Sequence, residues 1–373
     1  MNKNVFNRRE LSGSFGDMGL FIPLAVAMTI SADLDIGTIL IFAGIMNILT
    51  GLIFKQPIPI QPMKALAIVV ISENMVRDEL AAAGILMGIA LVVLSFFIDK
   101  IDRYIPRSIV RGIQLGVGLK LILKALSWLQ NMPVWAPDSM LTAALVVVIL
   151  FLCMRLNIPG LLYVFLFGFL LMYWIDPSVY SGFQWSLPEF SWSIPGLWAF
   201  KHGLVTGVLP QLPLTLLNSV IAVCALSADY FPGRGIPPRR MALSVGLMNL
   251  FAVPFGAIPM CHGSSGLAAH YRFGARTGGS VILLGCLKIL AGLIFGSVLF
   301  TLLQNYPASI LAPMLVFAGL ELARQAQDAF GNKSSILMVL VTAVGIVAVN
   351  TFIGFILGYG LYLSLAFFRK FKT

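Results

Sequence analysis

The sequence predicts an all-α polytopic membrane protein with about fourteen transmembrane segments, arranged as two inverted repeats of seven. The prediction rests on the apolar composition, the placement of Lys and Arg, and two pairs of matching motifs. Of the 373 residues, 59% are hydrophobic and 11% are charged, and the mean hydropathy is +0.94. A soluble domain carries about 25% charged residues, so lipid must cover this surface. The net charge of +10 then reflects topology, and no nucleic-acid partner is expected.

Apolar runs broken by Pro, Gly and charged residues locate the segments, at roughly 20 residues per crossing. They lie near 12–31, 37–54, 61–75, 81–98, 106–127, 139–154, 158–175, 204–228, 239–256, 262–271, 278–300, 308–323, 334–349 and 352–368. The third and tenth are too short to cross a bilayer alone. The stretch 176–203 is rich in Trp and Phe, and we interpret it as an interfacial amphipathic segment.

The basic residues predict the orientation. Of the 25 Lys and Arg residues, nineteen fall on the same side as the N-terminus, two (Arg77 and Lys201) on the other side, and four within spans. Because Lys and Arg accumulate in cytoplasmic loops, we expect both termini in the cytoplasm. Residues 1–10 are polar and basic, so no cleavable signal peptide is predicted. We expect a bacterial inner membrane.

Two motif pairs indicate an internal repeat. Residues 105–121 match 306–322 at an offset of 201, and residues 59–67 match 259–268 at an offset of 200 to 201. Each half holds seven spans, an odd number, so the second half must be inverted, as in many secondary transporters. The predicted repeats are residues 1–203 and 204–373.

Two spans are predicted to be broken in the same way. Pro57, Pro59 and Pro62 forbid a continuous helix in the first, and Pro259 and Gly263 do so in the second. Each then reads as a short extended strand followed by a half-helix, whose start carries free N–H groups and partial positive charge. Two such starts facing each other predict an anion site near the midplane. The alternative is a pair of ordinary proline kinks between packed helices.

The candidate binding residues lie at these two breaks and in the two spans predicted to face them. They are Gln61, Pro62, Met63, Lys64, Cys261, His262, Gly263, Ser264 and Ser265 at the breaks, and Asp17, Gln211, Thr215 and Asn218 in the first and eighth spans. Ionisable groups inside a membrane indicate function, which makes Asp17 and His262 candidates for proton coupling. The amides have a second reading, hydrogen bonding between helices, and a hydrogen-bonded structural role remains open for His262.

Three more expectations concern charge and space at this site. Two helix starts supply about one positive unit together, so Lys64 is the candidate for the remaining charge of a dianion. Its alternative is an ion pair with Asp17. Gly263 is expected to let an anion approach the backbone. Lys120 and Lys124 are expected to extend to the outer membrane interface.

Several function classes are disfavoured. The four cysteines have no CxxC spacing, so neither disulfides nor a metal site are predicted, and no cofactor is expected. There is no G-x-x-x-x-G-K-[ST] motif, so ATP is not the direct energy source. An intramembrane enzyme would need His262 as base and Ser264 or Ser265 as nucleophile. The GSSG sequence there does not fit a nucleophile elbow, and no third triad member is visible.

Four stretches together resemble the MOT1-type molybdate transporters, a branch related to the sulfate permeases of the SulP/SLC26 group. They are residues 10–24, 57–67, 209–223 and 259–276. The resemblance implies a UraA/SLC26-like fold with substrate between the third and tenth spans. It also implies a core domain (12–98 plus 204–300) and a gate domain (106–175 plus 308–368). Since the chain ends at Thr373, we expect no STAS domain.

The expected function is a secondary active transporter of a tetrahedral oxyanion, with molybdate as the first choice and alternating access as the mechanism. A sulfate transporter or an anion channel of the same fold remains an alternative. The expected partners are the oxyanion and the lipid bilayer. Proton coupling and a homodimer are left open, and no enzymatic activity is predicted.

Overall fold

The computed structural model describes residues 3–16, 18–98, 106–130, 132–156, 160–180, 187–188, 190, 192, 194–296, 298–331 and 333–370. In chain order, the helices are α1 (Arg8–Ser14), α2 (Met18–Ala32), α3 (Ile36–Phe54), α4 (Lys64–Glu73), α5 (Arg77–Ser95), α6 (Arg107–Leu129), α7 (Met140–Leu156), α8 (Gly160–Ile175), α9 (Leu197–Tyr230), α10 (Pro238–Ala252), α11 (Ser264–Arg272), α12 (Gly279–Phe295), α13 (Val298–Gln304), α14 (Ala308–Arg324), α15 (Lys333–Ala348) and α16 (Thr351–Lys370). Two short strands, β1 (Ile60–Pro62) and β2 (Met260–His262), precede α4 and α11.

Each predicted span overlaps a described helix, and the two short spans are the strand and half-helix units β1–α4 and β2–α11. Three helices, α3, α5 and α9, are long and apolar enough to cross a membrane by length and composition. Six shorter apolar helices accompany them: Leu20–Ala32, Met140–Leu156, Gly160–Ile175, Gly279–Phe295, Lys333–Ala348 and Thr351–Leu365. The prediction of an all-helical membrane protein is therefore confirmed.

Two predicted boundaries are wrong. The eighth span begins at Leu197 and not at 204, so the end of the stretch predicted to be interfacial is the first part of the 34-residue helix α9. Residues 181–186 of that stretch lie outside the described residues. The eleventh span was predicted over 278–300, but α12 ends at Phe295 because Gly296 adopts a positive φ of 44°. The short helix α13 follows it.

Helix α9 contains Pro210 and Pro213 without a break. A proline in a helix removes one hydrogen bond and crowds the preceding turn. Here the prolines lie between two wider π-helical stretches, Gly203–Val208 and Thr215–Ile221. Such stretches occur often at functional sites, and the second one begins at a predicted binding residue.

The inverted repeat is visible in the way the helices cross. Helix α3 packs on α12, and its counterpart α10 packs on α5. At the first crossing, a Cβ atom on Gly44 would overlap the carbonyl oxygen of Gly285, and the reverse is also true. At the second crossing, a Cβ atom on Gly88 would lie against the carbonyl oxygen of Gly246, and a Cβ atom on Gly246 would lie against that of Gly88. Both crossings therefore depend on glycine for close backbone approach.

Two further contacts join equivalent positions of the two halves. Helices α6 and α14, whose sequences carry the first motif pair, meet where Gly118 faces the Gly319 carbonyl and Gly319 faces that of Gly118. Strands β1 and β2 pair antiparallel, with Gln61 opposite Cys261. Corresponding parts of the two halves thus contact each other directly.

Two asparagines hold the short strands in place. Asn47 on α3 accepts a hydrogen bond from the Ile60 amide (2.9 Å). Its counterpart on α10, Asn249, accepts from the Met260 amide (2.8 Å) and donates to the carbonyl oxygens of Met260 and Val245 (both 2.7 Å). Both side chains are fully buried. Strands of three residues cannot form a stable sheet alone, so these amides complete the backbone hydrogen bonding that membrane depth requires.

We predict that Asn249→Leu will lower the free energy of unfolding by about 2–4 kcal/mol, because it leaves buried strand backbone groups without partners. Asn47→Leu is the matched control in the other repeat. It removes a single strand hydrogen bond and should cost about 1–2 kcal/mol. Denaturant titration of the two variants in detergent measures both values, and equal losses would contradict the stronger role of Asn249.

Candidate functional site

The starts of the two half-helices meet at the paired strands. Helix α4 begins at Lys64, and its Nζ donates a hydrogen bond to the Oγ atom of Ser265 in the first turn of α11 (3.1 Å). The Lys64 side chain is buried, whereas Ser264 and Ser265 are half-buried. The ammonium group of one repeat therefore lies beside the N-terminus of the half-helix of the other.

The first turn of α11 presents a set of hydrogen-bond donors. Within the described part of the chain, the backbone N–H groups of Ser264, Ser265 and Gly266 make no hydrogen bond, and the first amide to bond is that of Leu267, to the Gly263 carbonyl (3.0 Å). Their partial positive charge favours an anion. With two serine hydroxyls and the ammonium of Lys64, the cluster can surround an oxyanion.

The start of α4 differs from that of α11. Gln211 on α9 directs its Oε1 atom at α4 and accepts from the amides of Ala65 (2.8 Å) and Leu66 (3.2 Å). The Nε2 atom of Gln211 donates to Thr215 Oγ1 (2.8 Å), which fixes the orientation of the carboxamide. The prediction that both half-helices begin with free N–H groups is therefore wrong for α4. Gln211 and Thr215 form a helix cap.

Gly263 has a different neighbour from the one expected. The carboxamide of Gln61 packs directly over its Cα atom, and a Cβ atom there would overlap that group. Gln61 is fully buried in the strand pair. The space at Gly263 that was predicted for an anion is thus occupied by Gln61, and the glycine permits this contact between the two repeats.

His262 lies apart from the serines of α11. Its Nε2 atom hydrogen-bonds Ser244 Oγ on α10 (3.0 Å), and Phe54 packs edge-on with ring centroids 5.9 Å apart. The ring is fully buried. The structure therefore pairs His262 with Ser244, and not with Ser264 or Ser265 as the enzyme alternative required.

The remaining candidates have separate positions. Pro62 and Met63 are buried at the end of β1, where the Met63 amide donates to the Pro259 carbonyl (2.9 Å). Cys261 is buried in β2. Asn218 is half-buried, and its side chain makes no hydrogen bond to any described residue. Asp17 lies outside the described residues.

A cavity of about 780 Å³ leads to the donor cluster. It lies between α11 and α14 and is bounded by α7, α8 and the beginning of α2. One face of α11 lines it, with Ser265, Ala268, Ala269 and Arg272 at helical i, i+3, i+4 and i+7 spacing. The facing residues of α14 are Val316, Phe317, Ala318, Leu320, Glu321 and Arg324.

The charged residues of this cavity were not predicted as site residues from the sequence. Arg272 and Arg324 were counted only as cytoplasmic charges, and Glu321 was not considered. The spacing from Ser265 to Arg272 on one helix face was the available signal. On the opposite side of the site, α4 packs directly against α6.

Solved structures establish the fold. Murine Slc26a9, an anion transporter in the inward-facing state, matches with a TM-score of 0.75 at 15% identity over 99% of this chain. The transmembrane domain of the cyanobacterial bicarbonate transporter BicA matches with a TM-score of 0.69 at 16% identity, covering 95% of this chain and 98% of that domain. The chain spans 70% of the length of that murine Slc26a9 chain and 65% of the length of a second SLC26A9 chain that it matches.

The donor cluster therefore lies between the two half-helices of a fold that this chain shares with a murine anion transporter and a cyanobacterial bicarbonate transporter. Residues 9–121 and 203–322 match the family described as "Molybdate transporter of MFS superfamily". A protein named molybdate transporter 1, from Arabidopsis thaliana, is 36% identical over 95% of this chain and 88% of its own length. The chain belongs to this molybdate transporter family.

We predict that Gly263→Ala will destabilise the protein by about 1–3 kcal/mol, because its Cβ atom forces the buried Gln61 carboxamide to move. Gly196→Ala is the control, since a Cβ there meets no atom within 4 Å. Thermal unfolding of Gly263→Ala, Gln61→Ala and the double variant tests the contact. The double variant should lose less than the sum of the two single losses, and strict additivity would contradict the contact.

Proposed function

We propose that this protein is a secondary active transporter that moves molybdate by alternating access, and that the oxyanion binds between Lys64 and the start of α11. The observation that carries the proposal is the hydrogen bond from Lys64 Nζ to the Oγ atom of Ser265, a residue that lines the cavity. An oxyanion placed there accepts from the ammonium, both serine hydroxyls and three backbone amides.

Charge supports this position. A buried anion needs donors and opposite charge in place of water. The start of α11 supplies roughly half a positive unit, while the start of α4 is already capped by Gln211. Lys64 adds a full unit, which brings the site close to the two negative charges of molybdate. Helix ends alone would leave most of that charge unbalanced.

The choice of molybdate rests on the relatives. The Arabidopsis protein named as a molybdate transporter covers nearly the whole chain. Sulfate is also a tetrahedral dianion, so the donors named above do not separate the two by charge or shape. Selection would depend on size, because the oxygen atoms of molybdate lie farther from the central atom. Sulfate is therefore the comparison substrate in the test below.

Alternating access requires two bodies that move against each other. We assign α1–α5 and α9–α13 to a core that carries the site, and α6–α8 and α14–α16 to a gate. The cavity then separates core from gate on one side, while α4 and α6 close the other. This closure favours a carrier over a channel.

We place the open side in the cytoplasm, because Arg272 and Arg324 lie on the basic side of the chain.

The first test is uptake into proteoliposomes. We expect saturable uptake of molybdate, weaker uptake of sulfate, and stimulation by an inward proton gradient if protons are coupled, as proposed for Asp17. Saturable uptake of sulfate with no uptake of molybdate would reverse the substrate assignment. Uptake that rises linearly with concentration would support the channel alternative.

The second test removes the charge at the site. We predict that Lys64→Met weakens molybdate binding by about 10- to 100-fold, the loss expected for a hydrogen bond to a charged group. Lys201→Met is the matched control, since Lys201 is exposed and lies near the beginning of α9, about three turns before Gln211. Isothermal titration in detergent measures the affinities. Binding by Lys64→Met with near wild-type affinity would refute the contact.

A further inference from the structure

The closed side of the proposed site is held by one carboxylate. Glu73 is the last residue of α4, and its Oε1 atom accepts from Lys120 Nζ on α6 (2.5 Å). The same oxygen accepts from the amide (2.9 Å) and hydroxyl (2.6 Å) of Thr351, the first residue of α16. Lys120 was expected to extend to the membrane interface, and the structure instead buries most of its side chain in this contact.

This contact joins the two bodies that must separate. Helix α4 belongs to the core and carries Lys64 at its other end, whereas α6 and α16 belong to the gate. The carboxylate accepts charge-assisted hydrogen bonds, and it lies at the positive end of α16. Opening the closed side must break all three hydrogen bonds.

The inverted repeat gives this contact a counterpart with reversed charges. The offset of 201 that aligns Gly118 with Gly319 also aligns Lys120 with Glu321 on α14. The last residue of α11 is Arg272, which lies one to two residues before the position that the repeat offset aligns with Glu73. Glu321 and Arg272 line opposite walls of the cavity.

We propose that these two pairs are alternate latches, a reading that rests on the transport function proposed above. Glu73 and Lys120 hold the closed side in the state seen here. When the core moves and the cavity closes, Arg272 meets Glu321, and that pair holds the other side. Glu321 makes no ion pair with any described residue in the present state.

Because one ion pair forms as the other breaks, the state seen here and the state with a closed cavity can have similar free energies. A charge pair broken on one side is replaced by one formed on the other, so the electrostatic difference between the states stays small. Other charged groups near the latches are Lys124, one turn after Lys120, and Arg324, one turn after Glu321 and also in the cavity wall.

Cross-linking tests whether positions 272 and 321 approach each other when the cavity closes. In a chain whose four cysteines are replaced by alanine, Arg272→Cys and Glu321→Cys are combined and treated with a short bifunctional maleimide. The rate of cross-linking is proportional to the population with a closed cavity. Adding Glu73→Gln should raise this rate about tenfold, the shift expected from losing one charge-assisted contact. Asp328→Asn, which breaks the exposed ion pair of the gate with Arg111, should leave it unchanged.

Labelling of Cys153 gives an independent measure, since this native cysteine lines the cavity. With the other three cysteines replaced, Glu321→Gln should speed its alkylation by an impermeant maleimide, and Glu73→Gln should slow it. The charge exchange Glu73→Lys with Lys120→Glu should restore the parent rate only in part, because a lysine at position 73 cannot accept the hydrogen bonds of Thr351.

The outcomes separate the latch from the substrate assignment. If neither reporter responds to Glu73→Gln in protein that still binds molybdate through Lys64, the latch is refuted and the function stands. If both reporters shift in opposite directions as described in protein that binds no molybdate, the latch stands and the substrate is wrong.

Discussion

The structure depends on one constraint, which is that backbone polar groups inside a bilayer must find partners within the protein. The helix is interrupted twice at membrane depth, at β1 and β2, and the backbone N–H and C=O groups at these two places need hydrogen-bond partners. Pairing the two strands provides part of the solution, and Asn47 and Asn249 provide the rest. Once these hydrogen bonds are made, the half-helices α4 and α11 have fixed starting points that face each other. The proposed binding site follows from that placement.

The same constraint shows what could be read from the sequence. Pro59, Pro62 and Pro259 forbid continuous helices by local chemistry alone, so the two breaks and the inverted repeat were predictable. Gln211, which caps α4, lies 146 residues after the Ala65 amide in the chain, and no local pattern identifies it as the partner. Gln211 was therefore predicted as a binding residue, although it caps α4. Gly263 was read as space for an anion for the same reason, because the approach of Gln61 depends on the pairing of the strands.

The cap by Gln211 has a consequence for the electrostatics of the site. In a symmetric arrangement, both half-helix starts would offer amides to the substrate. Here one start is closed by a neutral carboxamide, and a lysine from the same turn reaches across to the other. The partial positive charge at the start of α4 is thus replaced by the full positive charge of the Lys64 side chain. A full charge distinguishes dianions from monoanions more strongly, which suits a carrier of tetrahedral oxyanions.

Inverted repeats place equivalent elements on opposite sides of the membrane, but sequences of the two halves are free to diverge. The packing surfaces have kept their glycines, at Gly118 and Gly319 for example, since close helix approach admits few substitutes. The charged positions have instead reversed sign, with Lys120 in one half and Glu321 in the other. A reversed pair keeps the attraction while preventing like charges from meeting when the bodies exchange positions. It also leaves an arginine, and not a glutamate, at the end of α11 in the cavity through which an anion must pass. The divergence of the repeats thus serves the charge of the substrate while preserving the symmetry of the movement.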